Sequence, residues 1–413
     1  MIIARTRNAL RHPVVGLVMN RGLGQVAVLL STFWVARLVT PDVYGELGLF
    51  TSFCALLSMA SGARFEIRAL VCKTDAARRN FVAMSYAVNL CLLLIALPLC
   101  VTAAVLGLAP PWVALVPIGV LLSSLVTYVL PTQNSSPGQL SRLGRMNLLV
   151  SFSTAVLQIV GAKIAPIGLS LIGARVVAWA AGALLLRSDV STGVSNARSL
   201  KKADARRIYR SSRQEIFYGS SSALLSVVEL QCAVYVLSLF SEKHAVGMYW
   251  MGFNLLFVPF FVVSGSLRPL FLRHLGTARK GGAMARRMFR YVAISFAAGL
   301  VTVVPLVMLA VLVTRTLLSD DWQDVQFFAA LLGITLLALV ARLPISFAAS
   351  ALRLQRLNLA FGVIQVLLRI FSLAIPLWMG YTVISAMAWF TVAASLGYVI
   401  HTFVSLWFIR RAE

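Results

Sequence analysis

A chain of 413 residues in which 60% are hydrophobic and only 12% are charged has too little polar surface to cover a water-soluble globule of its own size. Its 37 Lys and Arg against 13 Asp and Glu give a net charge of +24, which in a soluble protein would point to nucleic acid. Here the basic residues sit on short segments between long apolar runs, so the charge is assigned to membrane topology and anionic lipid headgroups, and nucleic acid is excluded as a partner.

Apolar stretches of roughly twenty residues predict membrane-spanning helices. In chain order they fall near 16–38, 43–63, 80–105, 112–131, 146–163, 167–186, 216–240, 246–267, 290–313, 325–347, 358–378 and 382–408. The first run is long and has no small-residue cleavage pattern close behind it, so an uncleaved first helix is expected. Most of the Lys and Arg lie in alternate gaps: Arg5 to Arg11, Arg64 to Arg79, Arg142 and Arg145, Arg187 to Arg213, Arg268 to Arg290, Arg353 and Arg356, and Arg410 and Arg411. The gaps between hold only Lys163, Lys243 and Arg315. Positive residues face the cytoplasm, so both termini are expected there.

The longest cytoplasmic segment, Arg187 to Gln214, is basic and Ser-rich. It divides the chain into a six-helix lobe over residues 1–186, a linker over 187–215 and a second six-helix lobe over 216–413. Arg198 to Arg213 has the composition of a helix lying on the inner leaflet. The halves also echo each other. Pro41-Asp42-Val43-Tyr44-Gly45 follows the first span and Gly247-Met248-Tyr249 follows the seventh, while Ser61-Gly62 before Arg64 matches Ser264-Gly265 before Arg268. The expected fold is therefore all-α, with about twelve transmembrane helices in two lobes related by a parallel repeat.

Several chemistries find no support. Cys54, Cys72, Cys91, Cys100 and Cys232 include no CxxC pair, and His12, His244, His274 and His401 are isolated in sequence, so no metal site or cofactor is expected. No P-loop sequence occurs. The external connections are short, and Asp320, Asp321 and Asp324 around Trp322 read as a solvated loop. A membrane glycosyltransferase or polymerase, which needs an external catalytic constellation, is thus the weaker alternative, and no enzymatic activity is expected. Tyr44, Trp112, Tyr249, Trp322, Trp378 and Tyr381 fall near the external boundary, where aromatic belts form.

The run Ala36-Arg37-Leu38-Val39-Thr40-Pro41-Asp42-Val43-Tyr44-Gly45, then Arg64-Phe65-Glu66, Gly247-Met248-Tyr249, Pro259 and Leu352-Arg353-Leu354-Gln355-Arg356, resembles the polysaccharide transporter branch of the multidrug/oligosaccharidyl-lipid/polysaccharide exporter superfamily. These are the flippases of O-antigen and exopolysaccharide repeat units in the bacterial inner membrane. The resemblance implies alternating-access export of an undecaprenyl-diphosphate-linked oligosaccharide from the cytoplasmic to the periplasmic leaflet, with membrane lipids and the polymerase and chain-length machinery of a polysaccharide pathway as partners. An exporter of drugs or organic cations from the same superfamily is the nearest alternative.

An ionised side chain at a helix centre costs about 2.5–3.5 kcal/mol on the insertion scale, so each one demands a partner or a cavity. Arg175, Glu229 and Arg369 lie near the middles of their spans. Each sits on a small or polar stripe at helical spacing: Gly168, Arg175, Ala178 and Gly182; Gly219, Ser222, Ser226 and Glu229; Gly362, Gln365, Arg369 and Ser372. Arg175 from one lobe and Arg369 from the other, in a cleft between them, are expected to bind diphosphate through the guanidinium fork. Glu229 is either a coupling group or a buried ion-pair partner. Arg21, which shares a face with Gly24 and Gln25, and Arg64 and Arg268, at inner span ends, are further candidates for the substrate's charge. Gln365, Trp250 and Asn254 are candidates for its polar and sugar groups. Arg37 and Arg342, near span ends, read as interface anchors.

Overall fold

The structure, a computed structural model, describes residues 13–61, 65–72, 74–134, 139–241, 243–278, 284–348 and 355–411. Among these the secondary structure is helical throughout, with no strand. In chain order the helices are α1 Pro13–Ala36, α2 Pro41–Ser61, α3 Phe65–Val71, α4 Asp75–Val105 and α5 Pro111–Gln133. They continue with α6 Leu140–Ile164, α7 Gly168–Leu185, α8 Arg187–Ser199, α9 Lys202–Phe240, α10 Lys243–Ala278, α11 Met284–Leu317, α12 Val325–Ala348, α13 Gln355–Trp378 and α14 Val383–Arg411. Ten helical segments among the described residues are long and apolar enough to cross a membrane. α1 and α10 run through the expected first and eighth spans. The protein is a polytopic all-α membrane protein.

The burial pattern is the one lipid imposes. Large apolar side chains such as Leu94, Leu99, Val301, Met308 and Phe403 are exposed, whereas Asn89, Gln158, Glu229, Gln365 and Arg369 are buried. Local sequence sets the helix ends. Thr74 caps α4, its side chain accepting from the Ala77 N–H at 3.3 Å, with Asp75 in the first turn. Gly380 adopts φ +82 in the turn that reverses the chain between α13 and α14, a conformation that needs no Cβ.

The chain forms two compact units, one of Met1–Val39 with Leu49–Val227 and one of Thr40–Gly48 with Val228–Glu413. In the first, α1 packs on α6, α6 on α7, and α4 on α3, α5 and α8. The basic segment after Leu186 is helical: α8 lies against α4 with Gly193 on the Tyr86 ring, and Gln133 Nε2 donates to the Asp189 carbonyl at 3.0 Å. No separate surface helix spans Arg198 to Arg213. The helical path breaks at Leu200 in extended conformation, and from Lys202 the basic residues are the first turns of α9, since neither Pro nor Gly interrupts the sequence before Gly219.

In the second unit α11 packs on α12, α13 on α14, and α12 on both α10 and α14. The segment 40–48 joins it through the two echoed turns. A Cβ on Gly45 would stand 2.6 Å from the Lys243 carbonyl, and one on Gly247 would collide with the Pro41 carbonyl, so both glycines are required by close backbone approach. Lys243 Nζ meets Glu46 Oε1 at 2.7 Å, and Asn254 Nδ2 donates to the Tyr44 hydroxyl at 3.2 Å.

The expected aromatic belt needs correction. Tyr44, Trp112, Tyr249 and Trp322 are buried, with Tyr44 and Trp322 in edge-to-face contact at 5.7 Å; Trp378 and Tyr381 are exposed. An aromatic ring near a span end satisfies a lipid boundary and a helix junction equally well, and here the junction takes four of the six.

Candidate functional site

Three charged side chains converge inside the second unit. Glu229 lies near the middle of the apolar stretch of α9, Arg342 in the last turns of α12 and Arg369 past the middle of α13; all three are buried. Arg342 Nη1 donates to Glu229 Oε1 at 3.2 Å. Arg369 Nη1 donates to the Glu229 main-chain carbonyl at 2.6 Å, and its Nη2 stands 3.7 Å from Oε1. From α14, the Tyr398 ring lies 4.9 Å from the Arg342 guanidinium carbon and 4.8 Å from that of Arg369, while Phe390 lies 5.5 Å from the latter. Aromatic faces thus disperse part of the charge the carboxylate does not match.

The arrangement is unbalanced. Two guanidinium groups share one carboxylate, leaving one surplus positive charge on buried side chains. Hydrogen bonding is unbalanced too: Arg369 Nε and Nη2 and Arg342 Nε have no hydrogen-bond partner. One turn before Arg369, Gln365 is 1% exposed, and neither its Oε1 nor its Nε2 is hydrogen-bonded. It fills the space left by Gly397, where a Cβ would meet its amide. One turn further along α14, His401 is buried with its ring 4.7 Å from Phe361 and its Nδ1 without a partner.

Arg342 is the principal correction to the sequence reading, which treats it as an interface anchor. Its place near the end of an apolar span leaves its direction open, and the structure turns it inward onto Glu229. Arg37, read the same way, is exposed over the Trp34 ring at 5.8 Å. Tyr398 and His401 escape the sequence reading as site residues. The buried series Thr391, Ala394, Tyr398, Thr402 and Ser405, at spacings of three and four, is the signal that marks their face.

The remaining candidates are dispersed. Arg175 belongs to the first unit, half-buried on α7, its guanidinium 5.4 Å from the Trp179 ring, which stacks on Phe50. Its expected stripe is interior, with Gly168, Ala178 and Gly182 buried. On α9, Glu229 is buried but Ser226 is exposed. Arg21 is exposed on α1, and Gly24 beside it packs on Ser151. Trp250 is buried, stacked on Phe253 at 5.5 Å and covering Gly48; Asn254 is committed to Tyr44. Arg64 lies outside the described residues, and Arg268 is in α10 with its side chain outside them. Among the described residues no group of His, Cys, Asp and Glu could hold a metal ion.

The fold is shared with solved membrane transporters. It is similar to the lipid II flippase MurJ in an inward closed conformation, with a TM-score of 0.68 and 14% identity over 94% of this chain and 87% of that one. A multidrug resistance MATE family transporter of the MOP superfamily, solved facing inward, gives a TM-score of 0.64 and 13% identity over 94% of each chain. The Vibrio cholerae MATE transporter VcmN gives a TM-score of 0.55 and 16% identity over 98% of each. At these identities the likeness establishes the architecture and leaves the cargo to the residues. No protein-family model matches the chain, and no curated protein matches it.

Proposed function

We propose that this protein is a bacterial inner-membrane flippase that exports a lipid-diphosphate-linked oligosaccharide repeat unit from the cytoplasmic to the periplasmic leaflet by alternating access. The observation that carries the reading is the interior of the second unit, where buried arginines outnumber the carboxylate and the Nε of Arg369 and of Arg342 makes no hydrogen bond. A cargo carrying phosphate is the chemistry such an interior favours; an exporter of organic cations needs the opposite surplus. The architectural likeness to a lipid II flippase supports the same reading. Arg175 and Arg369 supply guanidinium groups for the diphosphate, and Glu229 holds Arg369 in place. The lobes 1–186 and 216–413, joined by 187–215, move as the working parts of the cycle. Both termini face the cytoplasm, and a periplasmic polymerase with its chain-length machinery consumes the exported unit.

The test is a leaflet-accessibility assay in proteoliposomes with a chemically defined lipid-diphosphate oligosaccharide. Faster exposure than in protein-free vesicles is expected, without efflux of organic cations. Cation efflux with no lipid exposure would replace this reading by the drug-exporter one. In a variant otherwise free of cysteines, Cys at Ser195 should label only from the cytoplasm and Cys at Ser319 only from the periplasm; reversal would overturn the orientation.

A further inference from the structure

We infer that the seam between α13 and α14 in the second unit holds a small monovalent anion, of the halide class, on the Nε–H of Arg369 with the Gln365 amide as a further donor. This goes beyond the transport reading and stands whether or not Arg369 later meets cargo, because it concerns the resting protein.

Charge is the first argument. Among the described residues, Glu229 is the acid that Arg342 and Arg369 contact, so the group carries one surplus positive charge in a setting that excludes bulk counterions. Donor geometry is the second. Arg369 uses Nη1 on the Glu229 carbonyl and turns Nη2 toward Glu229 Oε1 at 3.7 Å, while Nε has no hydrogen-bond partner and no acid beside it. The Nε–H is therefore the donor left for an anion.

Surroundings are the third argument. Gln365, one turn away on the same face, is 1% exposed with its Nε2 unbonded, and Arg342 Nε is unbonded as well. Buried polar atoms of this kind are satisfied in native proteins by water or an ion. With donors in excess and a positive field, a metal cation is repelled and an anion is held. The choice of a monatomic anion follows from the packing: Arg369 is enclosed by the Tyr398 and Phe390 rings, and Gln365 is pressed on Gly397. The diphosphate of a lipid carrier needs this seam to open; a halide does not.

The experiment is thermal unfolding of the purified full-length protein in detergent, titrated with chloride or bromide against gluconate at constant ionic strength, with inorganic phosphate as a third arm. A halide-specific rise in Tm by a few degrees, saturating with concentration, is expected. Gln365→Met keeps the side-chain length but removes the donor, and should move half-saturation upward by about ten-fold, or ~1.4 kcal/mol. Glu229→Gln adds to the surplus charge and should move it downward. Anomalous scattering from bromide beside Arg369 would locate the ion. Equal Tm values in chloride and gluconate, or a halide effect unchanged in Gln365→Met, overturn the inference; saturation by phosphate but not by halide transfers the seam to the cargo. Cargo exposure in proteoliposomes is read separately, so failure of the anion site leaves the flippase reading intact, and the reverse also holds.

Discussion

Arg175 of the first unit and Arg369 of the second unit are each a mid-span arginine on a stripe of small or polar residues, yet their surroundings differ. Arg175 is half-buried over the face of Trp179. Arg369 is 2% exposed, bonded to the Glu229 carbonyl, close to its carboxylate and flanked by two rings. The lesson is that a charge in a membrane span has two meanings. One is a partly exposed group; the other is a fully buried group, whose removal disturbs its partners before it disturbs any cargo.

The largest effect is expected from the residue that makes Arg369 different. Glu229→Gln leaves two buried guanidinium groups without a counter-charge and should lower stability by about 3–5 kcal/mol, seen as a lower Tm and less folded protein in membranes. Adding Arg342→Gln should recover part of that loss, because the surplus returns to one charge. Wild-type stability in Glu229→Gln alone would show that the triad is not held as described.

Arg369→Met comes next. It removes a donor, the 3.7 Å approach to the Glu229 carboxylate and two ring contacts but leaves Glu229 paired with Arg342, so about 1–3 kcal/mol is expected by the same thermal assay. A cost larger than that of Glu229→Gln would reverse the assignment of the carboxylate as the centre of the group.

Arg175→Ala, at a half-buried position, should cost less stability than Glu229→Gln while strongly reducing cargo exposure in proteoliposomes. Arg175→Lys should restore part of the transport, since it keeps the charge and loses the fork. Depletion of folded protein in Arg175→Ala would erase the contrast with Arg369. The smallest effect belongs to an exposed pair in the unit that holds Arg369: Lys243→Ala, which breaks the 2.7 Å contact with Glu46, should change stability by about 0.2–1 kcal/mol and less in high salt.

Much of this architecture was legible in the sequence. Long apolar runs are spans because the bilayer leaves the backbone no partner but itself, and Gly362, Gln365 and Arg369 marked an interior face because residues three and four apart share one side of a helix. The same rule placed Gly168, Ala178 and Gly182 inside. It failed at Arg342, whose long side chain could reach either the headgroups or the interior from its position near a span end, and at Tyr44 and Trp322, where amphipathic rings suit two environments.

The sequence alone therefore determined the all-α membrane class, its apolar spans and the interior faces around Arg175 and Arg369, because those follow from hydrophobicity and local helical periodicity. Only the tertiary structure decided that Glu229 is shared by Arg342 and Arg369, that Gln365 is shut against Gly397, and that Trp250 stacks on Phe253 over Gly48. The reason is physical: Glu229 lies 113 residues from Arg342 and 140 from Arg369, and the register in which α9, α12, α13 and α14 bring them together is set by side-chain packing between helices, which no periodicity within one helix encodes.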